Sequence, residues 1–360
     1  MSVGYTWVQW NRHKRVYDAV AAVSAAAFIA VYMLATKLAW SGANAYSDEV
    51  ALIRSTGACA IVLLHVILCI GPLARLDRRF LPLLYNRRHL GVMTFLIALV
   101  HAVVVLGYYH GFGVSNPLVS LLTSNTNYGS LRAFPFQVLG LGALLILFLM
   151  AATSHDFWNK NLSPALWKRL HMLVYLAYAL LAGHVALGAL QNNRGALGPV
   201  LVVAGAGLVV TLHLAAGWRE VRRDRGHETV TDDGAEWIDV GAPEEIPENR
   251  ARTVCTARGE RIAVFRHNGQ VSAVTNLCAH QGGPLGEGKI IDGCITCPWH
   301  GWQYRPHDGC SPPPFKERIA TYQVRIVRGQ VQVNPTPLPP GTPTTPAPIV
   351  ATHPHTEARP

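Results

Sequence analysis

Six long apolar runs occupy the first part of the chain, at residues 16–40, 55–74, 90–109, 133–153, 171–190 and 195–218. Each approaches the ~20 residues that a helix needs to cross a ~30 Å hydrocarbon layer, so the pattern predicts six transmembrane helices. Beyond residue 218 no such run recurs, and the period changes. Stretches such as EWIDV, RTVCTA, RIAVFRHNGQVSAVTN and ATYQVRIVRGQVQV alternate apolar and polar positions, with Asn268-Gly269 and Arg328-Gly329 placed as hairpin turns. The predicted fold class is a polytopic membrane α-helical bundle followed by an all-β domain. The expected divisions are an N-terminal segment at 1–15, the bundle at 16–218, a short charged linker at 219–235, the β domain at 236–334 and a tail at 335–360. The tail, PTPLPPGTPTTPAPIVATHPHTEARP, is so rich in proline that it is expected not to pack and to be disordered.

Composition supports the membrane reading: half of the 360 residues are apolar and 14% are charged, outside the usual balance of a soluble protein. Arg12, Lys14 and Arg15 precede the first run as they would in a signal peptide. Its apolar part exceeds the usual ~7–15 residues of such peptides, which predicts an uncleaved first helix. The basic residues also predict orientation. Arg12, Lys14, Arg15, Arg75, Arg78, Arg79, Arg87, Arg88, Lys160, Lys168, Arg169, Arg219, Arg222, Arg223 and Arg225 flank alternate ends of the runs, whereas the opposite loops offer little beyond Arg132 and Arg194. By the positive-inside rule both termini and the β domain face the cytoplasm. The net charge of +10 is largely explained by these flanks, and it calls for lipid headgroups rather than nucleic acid as the partner.

Within the β domain Cys278-x-His280 is followed, after residues 281–296, by Cys297-x-x-His300. Two such pairs are the ligand set of a Rieske [2Fe–2S] cluster, in which two thiolates hold one iron and two neutral imidazoles hold the other. Gly282, Gly283 and Gly301 let the two loops approach a cluster closely. A zinc site is the alternative for such a ligand set.

The predicted helices carry histidines: His65 in the second, His89 and His101 in the third, His171 and His184 in the fifth and His213 in the sixth. An imidazole in a bilayer is costly without a partner, and haem b iron between two helices supplies one; a hydrogen bond to a neighbouring helix is the plain alternative. His171 and His184 are 13 residues apart, ~20 Å along one continuous helix, enough to address both leaflets. Their ~140° angular separation does not put them on one face. His155 is read as a loop residue, His110 as lying at the outer end of the third helix and His307 as a surface-turn residue, and Cys59, Cys69, Cys255, Cys294 and Cys310 as small apolar, strand or turn residues.

The segment CAHQGGPLGEGKIIDGCITCPWHGWQY resembles the Rieske ferredoxin family over residues 237–334. Cytochrome bc-type members have two further cysteines, whose matching positions here are Gly283 and Trp299, and a serine two residues after the last histidine, where this chain has Trp302. The resemblance is thus to the ferredoxin and oxygenase branch and implies a low-potential cluster with Tyr304 retained. In the membrane half, GPLARLDRRF at 71–80, NRRHLGVMTFLIALVH at 86–101 and WKRLHMLVYLAYALLAGH at 167–184 resemble the ferric-reductase-like transmembrane haem proteins, especially the haem-binding subunits of methionine-sulfoxide reductase systems. That resemblance implies haem ligands at His101, His171 and His184, the outer haem lying between His101 and His184. For the partner of His171 on an inner haem, His89 and His65 stand equal, with His213 behind them.

The function expected is electron transfer between a cytoplasmic [2Fe–2S] cluster and one or two b haems in the bacterial cytoplasmic membrane. No G-x-G-x-x-G follows a strand within a βαβ unit, so hydride chemistry is assigned to a partner, a soluble flavin- or NAD(P)H-dependent reductase, or replaced by the quinone pool. A quinone, ferric iron or a periplasmic protein is the acceptor. The competing readings are a quinol-oxidising protein, a membrane-tethered Rieske ferredoxin and a redox sensor. A Rieske oxygenase would need a 2-His-1-carboxylate iron site after the cluster domain.

Overall fold

A computed structural model of the chain describes residues 12–39, 45–154, 162, 164–191, 197–224, 229–232, 235–280, 282–298 and 301–349. Two compact units divide at Trp218 and Arg219.

The helices of the first unit are α1 (Arg12–Ala39), α2 (Asp48–Leu76), α3 (Leu81–Val105), α4 (Pro117–Thr123), α5 (Phe136–Ala152), α6 (Pro164–His171), α7 (Val174–Gln191) and α8 (Leu197–Asp224). Local chemistry sets several ends. The Ser47 hydroxyl accepts from the Val50 amide at the head of α2, where Asp48 and Glu49 face the helix dipole. Asn116 caps α4 in the same way. A π-helical turn, Leu106–His110, extends α3. Its His110, at the outer end of this helix, is buried between Ser120 and Gln137, 2.9 and 3.2 Å away.

Five spans are long and apolar enough to cross a membrane: Lys14–Ala39, Asp48–Leu76, Asn86–His110, Leu166–Gly188 and Pro199–Arg222. The fourth predicted run, 133–153, forms α5, which has 17 residues because the helix starts only after Pro135. At about 25 Å it is at the short limit for a span. The run predicted at 171–190 also differs: α6 ends at His171, and hydrogen bonds from the Leu173 amide to the Leu170 carbonyl and from the Tyr175 amide to the Met172 carbonyl tighten the chain before α7 begins. His171 and His184 therefore do not share one regular helix. Apolar side chains such as Val23, Val203 and Leu214 point outward, as lipid-facing residues do. Inside, α2 packs on α1 and α3, α3 on α5, and α5 on α7.

The second unit is antiparallel β structure in three sheets, with strand orders β1-β2-β11-β10, β12-β5-β4-β3 with β9 also on β5, and β6-β7-β8. The strands are β1 (Thr229–Asp232), β2 (Ala235–Gly241), β3 (Arg250–Cys255), β4 (Arg261–His267), β5 (Gln270–Thr275), β6 (Lys289–Ile291), β7 (Cys294–Thr296), β8 (Gln303–Tyr304), β9 (Thr321–Tyr322), β10 (Val324–Val327), β11 (Gln330–Val333) and β12 (Ala347–Pro348). The predicted turns form: Asn268 and Gly269 both have positive φ, as do Arg328 and Gly329, which matches the twist of the flanking strands. Side chains alternate across β4, so Ile262 and Val264 enter one core while Ala263 and Phe265 enter a second. That second core also contains Cys278, Cys297 and Tyr304.

Two expected boundaries are corrected. Of the charged linker 219–235, residues through Asp224 continue α8, and Thr229–Asp232 pairs with β2. The proline-rich tail is ordered through residue 349. Prolines lack donors, but the intervening amides find acceptors: Leu338 on Thr321, Gly341 on Ile319, Thr344 on His307 and Ile349 on Gly269, at 2.7–3.2 Å. Residues 350–360 lie outside the described residues.

Candidate cluster and haem sites

The two ligand loops of the β unit repeat one hydrogen-bond scheme. The Gly282 amide donates to the Cys278 carbonyl at 2.7 Å and the Gly301 amide to the Cys297 carbonyl at 3.0 Å. In return the Cys278 amide donates to Gly283 and the Cys297 amide to Trp302, at 2.9 and 2.8 Å. Gly282 and Gly301 have φ of +72° and +70°, which a side chain would strain. Each loop thus presents its cysteine from the same backbone turn, and both cysteines are buried. The fourth predicted ligand, His300, lies outside the described residues, as does Trp299.

Tyr304 is fully buried between them, its hydroxyl 3.4 Å from Cys278 Sγ. Burial first, and the sulfur of Cys278 next, push its pKa far above the ordinary phenol range, so the group stays protonated as a donor. The His280 ring lies parallel to the Trp302 indole, with centroids 4.3 Å apart and planes 6° apart. Two thiols and an imidazole held on preformed loops, with a protonated hydroxyl beside one sulfur, fit the soft mixed donor set of a [2Fe–2S] cluster.

In the membrane unit, α3 and α7 bring His101 and His184 together, with ring centroids 6.3 Å apart and planes at 87°. Two imidazoles on one iron need about the same separation, since each metal–nitrogen bond is about 2 Å and each ring adds about 1 Å to its centre. His101 Nδ1 donates to the Ile53 carbonyl and His184 Nδ1 to the Phe136 carbonyl, both at 2.9 Å. A carbonyl only accepts, so Nδ1 carries the proton and Nε2 keeps the lone pair that a metal needs. Glycines make the room. A Cβ at Gly57 would stand 3.0 Å from the His101 ring, and one at Gly140 would stand 2.8 Å from the His184 ring.

The remaining histidines are held differently. His65 is 5% exposed, its Nε2 is 3.0 Å from the Tyr178 hydroxyl, and a Cβ at Gly205 would stand 2.1 Å from its ring. His89 Nδ1 lies 3.0 Å from Asp18 of α1. His171 stacks on Trp167 at 3.9 Å, donates to the Trp167 carbonyl and lies 3.4 Å from Ser154 Oγ. Tyr175 approaches His213 to 3.2 Å. Among the described contacts neither His65 nor His89 meets His171.

These features define a membrane helical bundle with a facing histidine pair, joined to an iron–sulfur β domain. Residues 56–182 match the family described as ferric reductase like transmembrane component, and residues 236–323 match the Rieske [2Fe–2S] domain. The chain is 30% identical over 164 residues to the protein-methionine-sulfoxide reductase heme-binding subunit MsrQ of Caulobacter vibrioides, covering 44% of this chain and 72% of that protein. It is 38% identical over 101 residues to the anthranilate 1,2-dioxygenase ferredoxin subunit of Burkholderia cepacia, covering 28% of this chain and 93% of that one. A cholesterol 7-desaturase of Xenopus laevis is 39% identical over 83 residues, but the match spans 18% of its length. The chain belongs to the ferric-reductase-like transmembrane family in its first unit and to the Rieske [2Fe–2S] ferredoxin family in its second.

Proposed function

We propose that the protein is an electron-transfer oxidoreductase of a bacterial cytoplasmic membrane, taking electrons from a cytoplasmic flavin- or nicotinamide-dependent reductase and passing them outward. Cys278, His280, Cys297 and His300 hold the [2Fe–2S] cluster; His101 and His184 hold a haem b, and His171 a second one nearer the inner face. These groups supply reversible one-electron chemistry. The observation that carries the reading is the His101–His184 pair, whose spacing and Nδ1 anchoring suit one iron. The side chains around them set position and potential, and the acceptor is a quinone, ferric iron or a periplasmic protein.

Direction rests on the surroundings of Cys278. Tyr304 approaches its sulfur, while the Trp302 indole N–H, at the position where bc-type proteins use serine, donates instead to Ser311 at 3.1 Å. Fewer donors stabilise the reduced, more negative cluster less well, so its potential is low. A low-potential cluster donates to b haems more readily than it accepts from quinol. The excess of basic residues on alternate loops, from Arg75–Arg88 to Arg219–Arg225, supports a cytoplasmic β unit.

Potentiometric titration of the full-length protein, followed by electron paramagnetic resonance and visible absorption, tests this. The cluster is expected to titrate below the haem held by His101 and His184, a gap of about 59 mV making transfer tenfold favourable. A cluster titrating well above the haems reverses the direction to inward flow from quinol.

A further inference from the structure

From the stack of its indole on His280 we infer that Trp302 is a positioning residue for this imidazole and holds the cluster's potential down. The ring centroids lie 4.3 Å apart with a 6° angle between planes, a parallel stack. The indole is itself fixed from two sides. Its N–H donates to Ser311 Oγ at 3.1 Å, and the Phe315 ring lies 4.5 Å away at 57°. Its backbone carbonyl accepts from the Cys297 amide, so the residue that orients the histidine of one loop also closes the turn of the other.

The shared hydrogen-bond scheme of the loops makes the asymmetry plain. Trp302 accepts from Cys297 as Gly283 accepts from Cys278. The first loop thus has no side chain at the position from which the second sends an indole across to His280. Only one of the two loops supplies a ring to the other in this way.

The electronic consequence follows from charge. An aromatic face is negative and favours positive charge held against it. An imidazole on an oxidised iron is more positive than on a reduced one, so the stack favours the oxidised cluster and lowers the potential. A ring held flat by an immobile partner also samples fewer orientations, which keeps the electron paramagnetic resonance line narrow.

This inference rests on His280 being a cluster ligand, and the test separates the two claims. In full-length protein, Trp302→Leu is expected to shift the reduced fraction against a fixed mediator about threefold toward reduction, ~30 mV upward for one electron, and to broaden the resonance. Trp302→Phe, which keeps a face against His280, is expected to restore most of both. Absence of a mixed-ligand signal in the parent overturns the ligand assignment. A normal parent signal with unchanged potential and line width in loaded Trp302→Leu overturns the role of Trp302 alone. Should Trp302→Leu fail to retain the cluster, Ser311→Ala with Phe315→Leu decides: these release the indole and should move the potential and line width in the same sense, and parent-like values overturn the proposal.

Discussion

The two redox sites are built on opposite plans. Around Cys278 and Cys297 the proposed ligands come from two short loops whose own backbone turns point them, and glycine is needed there for its positive φ. At His101 and His184 the proposed ligands stand on regular helices, and glycine is needed for space, at Gly57 and Gly140, where a methyl would press on the imidazole. Loop ligands are positioned by local hydrogen bonds. Helix ligands are positioned by the packing of α2, α3, α5 and α7. The first kind of site can be assembled by a stretch of some thirty residues; the second exists only when distant helices have already packed.

The largest expected effect separates the two plans. Cys278→Ala or Cys297→Ala should abolish the cluster signal and leave haem absorbance unchanged, whereas His184→Ala should remove the haem held with His101 and leave the cluster intact. His171→Ala should lower the haem content from two per chain to one. A parent ratio near one would demote His171, and loss of haem with Cys278→Ala would break the independence of the sites.

A smaller effect contrasts the glycines. Gly140→Ala should shift the haem band or lower haem occupancy severalfold, because the new Cβ meets His184 at 2.8 Å while the helix itself gains about 1 kcal/mol of propensity. Gly282→Ala meets only Leu277, 3.5 Å off, but must hold a φ of +72°. It should cost about 1 kcal/mol of β-unit stability with little change in spectrum. Equal spectral change in both would refute the distinction.

The smallest effect is acid sensitivity confined to the β unit. Burial lowers the pKa of His267, partly countered by Glu248. The unfolded chain then binds the proton more readily than the folded one. The stability is fully present above the ordinary value of 6.5 and is lost as pH falls through it. His267→Gln should flatten that slope in thermal unfolding followed by loss of the cluster signal; an unchanged slope would exclude His267 as its source.

The same contrast explains what could be read from sequence. Cys278, His280, Cys297 and His300 announce themselves because the spacing of a loop site is local. Asn268-Gly269 and Arg328-Gly329 were legible for the same reason, and Asp292-Gly293, the turn between β6 and β7, follows the same rule. The pairing of His101 with His184 came through family resemblance, since helical phase carries no information about which helix faces which. The contacts of His65 with Tyr178 and of His89 with Asp18 depend on α7 and α1 and had no local signal. Residues 335–349 were misread because composition reports the missing donors of proline and not the acceptors offered by Thr321, Ile319, His307 and Gly269.

That closing segment also gives the sheet a finished border. β5 is covered on its outer side by two short pieces, β9 on Ala273 and Val274 and β12 on Gln270 and Val271. The second piece ends in Pro348, whose nitrogen cannot donate to a further strand. Open strand edges recruit other chains, and here the rim is sealed by a residue unable to extend it. A chain shortened before Ala347 would expose the backbone of Gln270 and Val271 as a template for self-association, so its solubility should fall with concentration even while its cluster remains bound.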